Sequence, residues 1–123
     1  MKRREIKFRA WDETTSNPIM VSWADLEDSP CRYVFIESED VTIMQYTGLK
    51  GKDGKEIYEG DILKRGDTIF KVYFDEHCAG FYVEDYTSII GKKFALESYI
   101  AKELYLIGNI HENKNLLQPP FTA

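Results

Sequence analysis

The sequence predicts a mainly β protein: a small SH3-like barrel in the C-terminal half, with an N-terminal β-hairpin layer packed on it. Three observations carry this reading. Short runs of β-forming residues alternate apolar and polar at period two. Gly, Asp and Asn turn signals separate those runs at close intervals, as small barrels and sandwiches require. Hydrophobic residues make up 43% of the 123 residues and aromatics 14%, enough to build a core.

Ile6, Phe8 and Ala10 alternate with Lys7, Arg9 and Trp11, which reads as a strand with the first set facing inward. Asp12 to Pro18 is polar and turn-rich, and Ile19 to Trp23 reads as the returning strand of a hairpin. Asp25 to Pro30 reads as an acidic loop. Tyr33 to Ile36 and Val41 to Tyr46 are two further strands, with Val41 and Ile43 on one face and Thr42, Met44 and Tyr46 on the other. Asp53-Gly54 marks a tight turn, and Gly60-Asp61 bends the chain into a new strand with positive φ expected at Gly60. Beyond Gly66-Asp67, Thr68 to Phe74 is the clearest strand, with Phe70, Val72 and Phe74 expected in the core. The loop Asp75 to Gly80 leads to a strand over Phe81 to Glu84, completing a meander. Phe94 to Leu96 fits a strand and Glu97 to Lys102 one or two helical turns. Leu104 to Ile110 is the last strand, and the segment from Asn113 with Pro119-Pro120 is a surface tail. Residues 1–123 are expected to form a single domain with sublobes 1–46 and 47–123.

The net charge of −5 does not favour general adhesion to nucleic acid. Lys2, Arg3 and Arg4 are followed at once by charged residues, so no secretion signal is expected, and no apolar run reaches the length of a membrane span. Cys31 and Cys78 are therefore expected as reduced thiols in a cytoplasm.

Three blocks of residues carry a resemblance. They are Phe8-Arg9-Ala10-Trp11-Asp12, then Met44 to Lys50 continuing through Asp53 to Ile62, and finally Ile107 to Asn113. Their order and spacing resemble the YopX family of phage and prophage proteins, and they span nearly the whole chain. Gly51 stands where the family pattern often has an acidic or amide residue. The resemblance implies a β-rich fold, a phage setting in a bacterial host cytoplasm, and no catalytic residues to carry over.

The residues themselves agree with a protein that is not an enzyme. Asp75, Glu76, His77 and Cys78 are dense in potential ligands, but they lack the paired spacing of a zinc site, so no metal and no cofactor is expected. His77 and Cys78 are neighbours and point to opposite faces of an extended chain, which is poor geometry for a nucleophile and its base. Glu56, Glu59 and Asp61 read as turn-capping acids.

Two functional classes remain. The first is a non-enzymatic phage accessory protein that binds a host or phage protein or associates with itself through edge strands. Its candidate contact surface is Arg9, Trp11, Lys50 and Lys52. For Trp11 the competing reading is burial in a second core beside the Ile19 to Trp23 strand. The second class is a nucleic-acid-binding module that uses the basic N-terminus and its aromatics.

Overall fold

The computed structural model describes residues 4–28, 38–87 and 90–117. The chain divides into two compact units, Met1–Tyr46 and Thr47–Ala123.

In the first unit, β1 (Phe8–Asp12) pairs with β2 (Ile19–Val21) on one side and with β3 (Val41–Lys50) on the other, both antiparallel. Asp12 shapes the start of the β1–β2 connection by accepting hydrogen bonds from the Thr14 amide and hydroxyl. Register places Ala10, Val21 and Ile43 on one face, where Leu26 and Trp23 of α1 (Trp23–Asp28) pack against them. The expected acidic loop is thus a helix at its start. Ser22 explains it, because its hydroxyl accepts from the Asp25 amide in an N-cap, and Asp25 sits in the first turn where a carboxylate is favoured. The strand expected over Tyr33 to Ile36 lies outside the described residues.

β3 runs across the division between the units, and in the second unit its end neighbours β4 (Glu56–Tyr58). β5 (Asp61–Arg65), β6 (Thr68–Asp75), β7 (Gly80–Asp85), β8 (Lys93–Ala95) and β9 (Tyr105–Asn109) form an antiparallel sheet in the order β8-β7-β6-β5-β9. A short helix, α2 (Ser98–Ala101), precedes β9, and a 3₁₀ turn over Lys114–Leu117 follows it.

This sheet is open, with β8 and β9 as its edges, so the closed SH3-like barrel expected from the sequence is not formed. The physical reason lies in how its inner face is covered. Leu63, Val72 and Val83 of the sheet cluster with Ile57 of β4, Leu96, Ala101 of α2 and Leu104. Elements laid over the sheet bury its apolar face, a job that curling would otherwise do.

Phe70 and Val72 meet this core as expected, whereas Phe74 is 42% exposed. The face was right, but β6 extends past the end of the core, and Phe74 instead meets Phe81 edge-on at 5.5 Å between ring centroids. In the first unit Ile6 is exposed, again because it precedes the paired part of its strand.

Candidate contact surface

The later part of the second block, from Thr47, and the third block meet inside the second unit, and their polar groups serve the backbone. Gly60 takes a φ of +84°, its amide donates to the Val72 carbonyl, and its own carbonyl accepts from the Ile110 amide. Asp61, 1% exposed, accepts a 2.7 Å hydrogen bond from the Tyr58 amide. Asp61 lies opposite Asn109 in the β5–β9 ladder. Asn109 Oδ1 accepts from the His111 and Glu112 amides, Asn109 Nδ2 donates to Glu112 Oε1, and Asn113 Oδ1 accepts from the Asn109 amide. These side chains hold two turns in place, one entering β5 and one leaving β9. Gly51 fits the same pattern, since a Cβ there would come within 2.7 Å of the Leu104 carbonyl oxygen.

The loop with the densest ligand-type residues is also a turn device. Asp75 Oδ1 accepts from the amides of His77 and Cys78, capping the β6–β7 hairpin. Among the described residues, no group of three or more His, Cys, Asp or Glu is gathered as a metal site.

Of the expected contact residues, Trp11 is 8% exposed and belongs to the interior. It shares a face of the N-terminal sheet with Arg9, Met44 and Tyr46, opposite the face that α1 covers. Met44 and Tyr46 are buried too, and Arg9 Nη2 lies 3.8 Å from Met44 Sδ. Both faces of β1 are therefore buried, and period-two alternation alone does not separate inside from outside here. Lys7 is likewise engaged: it bonds Glu5 at 2.7 Å and stands over the Tyr46 ring. Lys50 and Lys52 are exposed, and Lys52 Nζ lies 5.3 Å from the centroid of the Tyr105 ring.

Two surfaces of the second unit were not singled out from the sequence. One is β8, an edge strand whose Phe94 is 44% exposed. The other is the face of β6 and β7 opposite Val72 and Val83, where Tyr73 and Tyr82 pair. Burial, and then the nearby carboxylates of Asp75 and Glu84, push the Tyr73 phenol above its ordinary range. A hydrogen bond with Cys78 does the same to Tyr82. The signal for this face was present in the alternation of β6, but only pairing with β7 brings the tyrosines together.

Fold and surface together define a mainly β protein whose distinctive residues build turns. The model of the YopX protein family matches residues 7–118, and the chain belongs to that family. Protein EF1440 from Enterococcus faecalis, known from its crystal structure, is similar in fold with a TM-score of 0.58 and 24% identity. The match covers 94% of this chain and 100% of that one. No curated protein matches the chain. No helix among the described residues is long and apolar enough to cross a membrane.

Proposed function

We propose that this YopX-family chain is a non-enzymatic phage or prophage accessory protein that acts in the host cytoplasm by binding another protein. One observation carries the reading: β8 is an edge strand of only three residues with an exposed phenylalanine at its centre. An edge strand offers one row of backbone donors and acceptors to an added strand, and an apolar side chain gives that pairing specificity. The exposed Phe74 adds apolar surface to the same unit.

The test is recovery of partners by the tagged protein from host cells, with and without nuclease treatment. A protein retained by the wild type and lost with Ala95→Pro or Phe94→Lys supports the reading, since proline removes a strand donor and lysine blunts an edge. Retention unchanged in both variants removes β8 from the contact. Retention that nuclease abolishes shows a nucleic-acid bridge and overturns direct protein binding.

A further inference from the structure

Over β6, β7 and β8 the two faces of the five-stranded sheet divide by chemistry, while over β5 the second face is closed, with Ile62 beside Lys71 fully buried. Alternation sends Val72 and Val83 into the core, and it leaves Tyr73 and Tyr82 side by side on the other face. Their ring centroids are 6.2 Å apart and tilted by 45°. The next row across the sheet is Lys71, Glu84 and Lys93, on β6, β7 and β8 in turn. Lys93 Nζ lies 5.9 Å from the Tyr73 centroid, and Lys71 Nζ lies 5.7 Å from that of Tyr86. One carboxylate, Glu84, stands between the two ammonium groups of this row, and Asp75 on the same face of β6 is a second carboxylate beside the tyrosines. The nearby Asp75 carboxylate is held by the hairpin amides.

We propose that this face of the sheet binds single-stranded nucleic acid, with bases stacking on Tyr73 and Tyr82 and phosphates meeting Lys71 and Lys93. Aromatic residues on adjacent central strands of an antiparallel sheet are a general platform for unpaired bases. Stacking tolerates any base, and lysines beside the rings supply the phosphate contacts. The composition also separates this ligand from a protein. Tyrosine is enriched in both kinds of interface, but lysine is depleted from the centre of protein–protein contacts. A ligand that alternates a flat ring with an anion matches tyrosine interleaved with lysine. A duplex does not, because its base faces are hidden within the stack. This activity is separate from protein binding through β8, since Phe94 and Lys93 lie on opposite sides of that strand.

The experiment is fluorescence anisotropy of a labelled oligothymidine, about 12 nucleotides long to fill one small site, titrated with the full chain at about 50 mM salt and above. Binding to the single strand should exceed binding to a duplex of equal length and fall steeply with salt. Tyr82→Ala should weaken it about tenfold, the loss of one stacked base. Lys93→Gln should weaken it and lower the salt slope by about 0.7, the loss of one phosphate contact. Lys93 is exposed, so this variant tests the proposal even if Tyr82→Ala fails to fold. No binding at low salt, equal binding to duplex, or unchanged affinity in Lys93→Gln would overturn it. Poly-glutamate bound as tightly as oligothymidine would assign the face to an acidic protein, which also overturns it.

Discussion

Gly60 shows how one residue serves a whole motif. Its φ of +84° is open to glycine and costly for any side chain, most of all a β-branched one. Its amide and carbonyl both bond across the sheet, to Val72 and Ile110, so the strain cannot relax without breaking those bonds. Gly60→Val is therefore expected to destabilise the fold by about 2 kcal/mol or more, measured by urea unfolding. A wild-type midpoint would show that the turn is not constrained. Gly108 is required for a different reason: a Cβ would sit 2.5 Å from Asn113 Oδ1, the atom that accepts from the Asn109 amide. Tyr73 gives a pH-dependent prediction. Its folded-state value is raised, chiefly by burial, so the folded chain holds that proton more tightly than the unfolded chain does. The contribution to stability is complete below the ordinary tyrosine value near 10 and is lost as pH rises through the higher folded value. Alkaline melting should therefore be less steep in Tyr73→Phe than in the wild type. Identical alkaline profiles for the two proteins would count against a shifted phenol at this site.

At the scale of elements, β6 supplies the sharpest contrast. Phe70 packs on the core, while Phe74, four residues along the same face, is exposed. Phe70→Ala should cost about 3 kcal/mol by leaving a cavity. Phe74→Ala should cost less than about 1 kcal/mol, since it loses only the edge contact with Phe81. Equal costs would mean that the core extends along the whole strand. The same strand shows what could be read from the chain alone. Alternation identified β6 and its inner face, and the glycines marked the turns at Gly54, Gly60 and Gly66, all with positive φ. Alternation did not show where the core ended, because that depends on which elements lie over the sheet. Nor did it show that the sheet stays open, since closure depends on whether β8 and β9 find each other or find α2 and β4 instead. In α1 the signal was present and local: Ser22 followed by Asp25 is a helix start, hidden by the acidic run that suggested a loop. Trp11 was a harder case. Burial of both faces of β1 is a tertiary fact, and no period of the sequence encodes it. The tyrosine face was hidden because its residues come from β6, β7 and the segment after β7, and it exists only once their register is set.

For the molecule as a whole, the two units differ in the size of their main apolar clusters among the described residues. The second has seven buried residues in its main cluster, including Ile57, Leu63, Val72 and Leu104 at 0–1% exposure. The cluster under α1 in the first unit has four among the described residues, one of them an alanine, with Leu26 supplying its largest side chain from a helix of only six residues, while Trp11, Met44 and Tyr46 are buried on the other face of that sheet. Burial of apolar area is the main favourable term in folding, and a helix this short gains little stability by itself. Local opening should therefore begin where α1 covers the sheet of the first unit. In native-state hydrogen exchange, the amides of Leu63, Val72 and Val83 should be the last to exchange, and those of Ala10 and Ile43 should exchange earlier. Leu26→Ala sharpens the test. It removes the one leucine joining α1 to β1, at a cost of about 2–3 kcal/mol. If the units open separately, the variant speeds exchange at Ala10 and Ile43 and leaves Leu63 and Val72 as slow as in the wild type. If protection falls by the same factor at all of these sites, the chain opens as one cooperative body, and the strand shared across the division, β3, is the element that couples it.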